Sequence, residues 1–249
     1  MNDQRDPYLI PGTDVFRNKL GITDGRTLAT AEYELSTART IEILGDPRFK
    51  AEGTVEQLQR IHRHLFQDVY DWAGQIRTVD IHKSGGVPFQ PIELFREGAR
   101  YAEETLRGDH MLTGMDHDTF IRRLSINYDD FNVLHPFREG NGRTQRVFWT
   151  SIARQAGWEI DWTRATKEQI ADTSKAAMMT GNRRPLENMF DQITARHRNS
   201  VRTRRATGPP PSIGGLEPPQ HGRFPDSALG SMSPGPGAQG PDMGMGMDR

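Results

Sequence analysis

The stretch His135-Pro136-Phe137-Arg138-Glu139-Gly140-Asn141-Gly142-Arg143-Thr144-Gln145-Arg146 decides how the rest of the chain is read. It falls between two runs of helical periodicity, one carried by Ile121, Leu124, Tyr128 and Phe131, the other by Phe148, Ile152 and Ala156 before Gly157. Asp118 is placed to cap the first, and the second begins around Asn141-Gly142. Glycines flanking Asn141 let the backbone approach a ligand closely, and a helix entry aims N–H groups and the positive dipole end outward, which makes an anion site. Arg143 and Arg146 are three apart and share one helix face beside those amides. Two fixed cations over a helix start suit a polyphosphate better than a carboxylate. With phosphates in place, Glu139 at the rim can hold Mg²⁺ bridging them. His135 is the nearby side chain whose ordinary pKa fits a general base at neutral pH. Phe137 is expected to anchor the loop in the core. Each feature alone is ordinary structure; their coincidence within twelve residues points to chemistry.

Outward from this segment the signals are mostly helical. Leu28, Ala31, Leu35 and Ala38 recur at three-to-four spacing until Gly45-Asp46-Pro47. Val55, Leu58, Ile61, Leu65, Val69 and Trp72 form a second stripe before Gly74. Pro91 opens a third, carried by Leu94, Phe95, Ala99, Ala102 and Leu106 and closed by Gly108. Weaker helices are expected over 167–179 and 185–196. One stretch departs from this pattern. Arg77-Thr78-Val79-Asp80-Ile81 alternates, Ser84-Gly85-Gly86 is turn chemistry, and Val87-Pro88-Phe89 resumes an extended character. That predicts a short hairpin in an otherwise all-α chain, with Pro88 making one strand an edge. An isolated hairpin is marginal in water, so this one must pack on the helices or pair with something else.

The 249 residues are 34% hydrophobic, and the mean hydropathy of −0.73 is low for a chain packed along its whole length. The composition shifts near Ser200, and after Thr207 the sequence is rich in Pro, Gly and Met, so residues 199–249 read as a disordered tail. The net charge of −1 gives no global argument for nucleic acid or membrane. Arg198, Arg202, Arg204 and Arg205 read as a solvated helix end, and no direct nucleic-acid binding is expected. The absence of cysteine excludes disulfides and thiolate metal sites. A polar N-terminus without an apolar segment, and no apolar run long enough for a bilayer, predict a cytoplasmic protein with no membrane partner. His62 and His64, two apart on a helix, face different directions and do not make a metal pair.

The central segment resembles the signature of the Fic (Fido) family, His-x-Phe-x-[Asp/Glu]-Gly-Asn-Gly-Arg-x-x-Arg, at every fixed position. The resemblance extends over about residues 6–196. It includes Pro11-Gly12-Thr13-Asp14-Val15-Phe16-Arg17-Asn18-Lys19-Leu20-Gly21 and Asp71-Trp72-Ala73-Gly74-Gln75-Ile76-Arg77. It implies an all-α core with a β-hairpin flap, divided into an N-terminal helical extension over 1–54, a catalytic core over 55–198 and the tail. It also implies a protein adenylyltransferase that moves AMP from ATP to a Tyr, Thr or Ser hydroxyl. In that scheme His135 deprotonates the hydroxyl, which attacks the α-phosphorus in line with the leaving pyrophosphate. Glu139 would bind Mg²⁺ between the α- and β-phosphates, while Asn141 and the backbone around Gly140 and Gly142 stabilise charge on the α-phosphate. Arg143 would hold the β-phosphate and Arg146 the γ-phosphate, with Thr144 and Gln145 completing the nucleotide-binding segment. A related branch that transfers phosphate carries Lys where Gly142 stands, so Gly142 favours AMP transfer.

The flap residues Ile81, His82, Lys83, Ser84, Gly85 and Gly86 would pair with an extended target segment by β-augmentation. Many relatives carry an inhibitory helix of the form [Ser/Thr]-x-x-x-Glu-[Gly/Asn]. Glu52-Gly53, Glu97-Gly98 and Glu187-Asn188 have Arg48, Glu93 and Arg183 four residues earlier, so none fits. The resemblance therefore implies a toxin whose inhibitory Glu comes from a separate small antitoxin, with gyrase and topoisomerase IV as family-type targets. The competing readings are a catalytically silent module of the same fold, disfavoured by the intact His135 and both arginines, and a secreted effector with the same chemistry.

Overall fold

The computed structural model describes residues 6–83 and 87–197. The flap positions Ser84, Gly85 and Gly86, the Arg198 cluster and the 199–249 tail lie outside the described residues. Helix α1 (Gly25–Gly45) starts where the Asp24 carboxylate accepts the Thr27 N–H at 2.8 Å. Helix α2 (Val55–Phe66) starts on Thr54, whose hydroxyl accepts from the Gln57 N–H. Strands β1 (His82–Lys83) and β2 (Val87–Pro88) make the short antiparallel hairpin. A single 3₁₀ turn at Ile92–Leu94 then leads into α3 (Phe95–Gly108). Helix α4 (His117–Leu134) and helix α5 (Asn141–Gln155) flank the central segment. After β3 (Trp158–Ile160) come α6 (Lys167–Thr180), α7 (Arg184–Ile193) and β4 (Thr194–Arg196).

The core is built by α2, α4 and α5. Leu58, Ile61, Leu65 and Phe66 of α2 expose no surface, nor do Leu124 and Phe131 of α4 or Phe148, Trp149 and Ile152 of α5. Burying each such side chain contributes about 1.5–3 kcal/mol. Phe131 meets Trp149 edge-on at 5.6 Å, so the two helices that carry the central segment are locked together by aromatic geometry. Helix α1 packs on α2 and α5, α3 on α4, and α7 on α4 and α6.

Several expectations need correction. The cap of α4 is Asp116, not Asp118, because the Asp116 carboxylate reaches the Thr119 N–H at 2.8 Å. Pro91 leads into the 3₁₀ turn rather than into α3, and Leu94 remains exposed. In α1 the buried stripe is Leu28, Glu32, Ser36 and Thr40, while Ala38 is exposed and Ala31 and Leu35 are half-buried. This helix turns a polar face inward, toward a charge described below. Finally, the protein carries a second antiparallel pair: β3 pairs with β4, Trp158 opposite Arg196, over what the periodicity reads as the end of the last helix.

Of the alternating stretch 77–81 only Ile81 joins the hairpin, its carbonyl accepting the Phe89 N–H at 3.2 Å, and the paired register starts at His82. Arg77 explains the difference. Its side chain is wholly buried. Nε donates to the His135 carbonyl at 2.9 Å, Nη1 to the Val79 carbonyl at 2.7 Å, and Nη2 to the Gln90 carbonyl. The Arg77 backbone N–H donates to the Pro136 carbonyl at 2.8 Å. One guanidinium thus takes the carbonyls of both flap stems and of the residue that opens the central segment. Replacing it by Met strands three buried acceptors, and the Arg77→Met protein is expected to lose about 3 kcal/mol of stability in urea unfolding.

Candidate active site

Helix α4 ends on His135, which takes left-handed backbone angles, φ 42° and ψ 62°. A non-glycine residue there costs roughly 1–2 kcal/mol, and the Arg77 bonds to the His135 and Pro136 carbonyls hold the turn in place. The His135 ring stacks on Phe89 at 3.7 Å with 15° between planes. Phe89 follows β2 directly, so the end of the flap sets one face of the imidazole. Beyond His135 the loop is bracketed by Asn141, whose Oδ1 accepts the Phe137 N–H at 2.9 Å while Nδ2 donates to the Phe137 carbonyl at 2.7 Å. Arg138 is drawn away from the anion site, onto Asp6 and over the Phe16 ring.

The floor of the loop is a buried histidine on α2. His62 Nδ1 accepts the Gly74 N–H at 2.8 Å, which puts the ring proton on Nε2, donating to the Glu139 carbonyl at 2.9 Å. Phe137 stacks on the same ring at 3.9 Å. Burial pulls the His62 pKa down to about 3, with the nearby Arg143 charge acting in the same direction. His62 is therefore a neutral latch, and among the described residues no group of three or more His, Asp or Glu is arranged to hold a metal. Gly140 is required where it stands: φ is +82°, and a Cβ would lie 2.5 Å from the Phe66 ring carbons.

Helix α5 begins at Asn141 with no side-chain cap, and Gly142 is exposed with open space around it. The two cations sit on the first turns of this helix. Arg143 Nη2 is bonded to Glu32 of α1 and approaches Glu139 at 3.4 Å, while Nη1 donates to Ser36 Oγ at 3.1 Å. The guanidinium also lies over the Phe66 ring. Arg146 is half-buried, and burial together with the neighbouring Arg143 charge lowers its pKa. Arg143 is matched by Glu32 and Glu139, and Arg146 adds a second guanidinium on the first turns of the same helix.

The structure thus brings together Glu139, Gly140, Gly142, Arg143 and Arg146 around one helix entry, with His135 at the loop's other end. It places other predicted residues differently. Thr144 and Gln145 turn their side chains inward, and Thr144 Oγ1 donates to the Gly140 carbonyl at 3.0 Å. The Asn141 amide closes the loop through Oδ1 and one Nδ2 proton, with its second Nδ2 proton outside those two bonds. On the flap, Ile81 is half-buried and His82 exposed, and Lys83 contributes its backbone to β1. The residue that the sequence reading missed is Glu32, 111 positions from the arginine it meets; the only local signal was a polar spacing of four, Glu32-Ser36-Thr40, inside an apparently apolar repeat.

A family model described as "Fic/DOC family" matches residues 52–153. Over 191 residues the chain is 35% identical to the Escherichia coli (strain K12) protein named "Probable protein adenylyltransferase Fic", covering 77% of this chain and 93% of that one. The chain belongs to the Fic/DOC family. A second Fic relative, "Protein adenylyltransferase VbhT" of Bartonella schoenbuchensis, is 37% identical over 169 residues, 68% of this chain and 35% of that longer protein. The Bartonella tribocorum effector BepC, solved with AMPPNP bound, superposes with a TM-score of 0.71 at 25% identity, covering 78% of this chain and 99% of that one. The Fic fold is confirmed, and the chain is an enzyme of the protein adenylyltransferase class. Helix α1, which supplies Glu32, lies outside the 52–153 match. No described helix is long and apolar enough to cross a membrane.

The neutral His62 latch has a pH signature. Its folded pKa of about 3 lies below the ordinary 6.5, so the unfolded chain binds the extra proton between those values. Stability from this group is complete above pH 6.5 and is lost as pH falls toward 3. The stability difference between the unaltered chain and His62→Gln should therefore shrink by about 1.4 kcal/mol per pH unit on acidification below that point. Urea unfolding of both proteins from pH 7.5 to 5 measures it; a constant difference would mean that His62 titrates in the fold as it does in the unfolded chain.

Proposed function

We propose that this chain transfers AMP from ATP to a Tyr, Thr or Ser hydroxyl of another protein, with His135 as the general base. The observation that carries the reading is the uncapped start of α5, faced by Arg143 and Arg146 and held beside the His135 loop. The likeness to BepC, a structure that contains AMPPNP, supports the nucleotide as its occupant. His135 takes the proton of the target hydroxyl. The oxygen forms a bond to the α-phosphorus, and the bond to the β-phosphate bridging oxygen breaks, releasing pyrophosphate. Backbone N–H groups at the helix entry, together with the second Nδ2 proton of Asn141, stabilise charge on the α-phosphate. Arg143 and Arg146 bind the β- and γ-phosphates. Bare Gly142 favours this orientation over phosphate transfer.

Mg²⁺ fits this donor set. The Glu139 side chain is 39% exposed at the rim, and Mg²⁺ is commonly held by one or two carboxylates with substrate phosphates and water completing its shell. Glu139 would hold it, and the bound ion would neutralise charge across the α- and β-phosphates.

The flap strand His82–Lys83, with His82 exposed, is proposed to receive an extended segment of the target, with type II topoisomerases, gyrase and topoisomerase IV, as the family-type candidates. We propose a cytoplasmic protein that is the toxin of a pair; the toxin role is supported by the lack of a [Ser/Thr]-x-x-x-Glu-[Gly/Asn] sequence in these 249 residues, and an antitoxin would supply that Glu.

Incubation with Mg²⁺, α-labelled ATP and source lysate should label a protein band. The His135→Ala chain should lose at least about 100-fold of that rate while retaining AMPPNP binding. Label transferred only from the γ-position would replace AMP transfer by phosphate transfer. The chain purified alone should be active; slow transfer that accelerates when an internal Glu is replaced would defeat the antitoxin reading.

A further inference from the structure

The nucleotide-binding reading leaves one buried carboxylate unexplained. Glu32 sits on α1, outside the family-matched region, and is 8% exposed. One carboxylate oxygen is bonded to Arg143 Nη2 and the other accepts the Tyr70 hydroxyl. Tyr70 is itself 1% exposed and stacks on Trp72 at 4.2 Å. One turn along α1, Ser36 Oγ donates to the Tyr33 carbonyl and so turns a lone pair to Arg143 Nη1. Glu32 and Ser36, four apart, share the helix face that meets α5. Arg143 therefore lies between two carboxylates of different character. Glu32 is deep and held by a second donor. Glu139 is shallow, 3.4 Å from the same nitrogen and open to solvent.

Two roles are chemically open to Glu32: a plug that occupies Arg143 until a phosphate displaces it, or a fixed countercharge that aims Arg143 at the phosphate. Burial decides between them. A displaced Glu32 would be a carboxylate out of water with one hydroxyl for company, which costs several kcal/mol, and its anchor Tyr70 is packed in an aromatic cluster that offers no way out. Glu139 is free to leave Arg143 at no such cost.

Resting on the ATP reading above, we propose that Glu32, backed by Tyr70 and Ser36, is a positioning residue that fixes Arg143 for the β-phosphate and leaves Glu139 available to the cation. Helix α1 is then part of the nucleotide site rather than an appendage to it. The deep carboxylate keeps Arg143 in one orientation, and the shallow one exchanges partners when the nucleotide arrives.

The test compares Mg²⁺-AMPPNP with AMP, which lacks the β-phosphate, by calorimetric titration of the full chain. Glu32→Gln should weaken AMPPNP binding by about tenfold, roughly 1.4 kcal/mol, and leave AMP binding within twofold. Tyr70→Phe should shift AMPPNP in the same direction by a smaller factor. Should Glu32→Gln fail to fold, Tyr70→Phe and Ser36→Ala carry the comparison. Equal weakening of AMPPNP and AMP would reduce Glu32 to a stabilising residue and overturn the proposal. Unchanged or tighter AMPPNP binding would also overturn it, the latter making Glu32 a plug. If the unaltered chain binds neither ligand, the ATP reading itself falls and takes this inference with it.

Discussion

A neutral imidazole in the core holds the site in shape. His62 accepts from Gly74 and donates to the Glu139 carbonyl, so a residue of α2 fixes both the segment that leads to the flap and the backbone just before α5. With Phe66 filling the space where Gly140 lacks a side chain, the helix start cannot move without disturbing the packing of α2. The direction of the α5 dipole is therefore determined largely by the hydrophobic core, with the Asn141 bonds to Phe137 bracketing the loop from within. A charged imidazole would have one acceptor too few, which is why burial and the two bonds select the neutral tautomer.

Around that latch the interior is more polar than a small helical domain requires. Arg77, Glu32, Ser36 and Asn141 are all buried, and each makes bonds to a functional segment instead of to solvent. A hydrophobic packing arrangement can place helices within an ångström or so, but it does not fix the rotation of a guanidinium or the plane of a peptide. Hydrogen bonds with directional acceptors do. The polar interior is concentrated where orientation matters, and elsewhere Phe131, Phe148, Trp149 and Phe190 pack as an ordinary apolar core.

The central segment was legible because its chemistry is contiguous: a helix entry, two cations and a histidine lie within twelve residues. The core faces of α2 and α4 were legible for a related reason, since apolar periodicity reports burial directly. Helix α1 was misread because its buried face is polar, and a rule that equates inward with apolar selects Ala38 over Ser36. Glu32 could not be found at all without coordinates, as its partner is 111 residues away and no local pattern links them. The β3–β4 pair escaped because three-residue strands carry no measurable alternation. Asn141 was identified as important for a donor role toward phosphate, and the structure adds a second task, bracketing the loop through two bonds to Phe137.

The anchoring of the flap stems has a consequence for how such a protein diversifies. Val79 and Gln90 are both tied to Arg77, and Gln90 is tied again to Val133 at the end of α4. Whatever residues join β1 to β2, the two ends of that segment enter and leave at fixed points. A change of tip length or composition is thereby insulated from the backbone at His135. On the proposed reading of the flap, recognition of an acceptor protein can then drift by rewriting a handful of positions, while the segment behind them is left undisturbed.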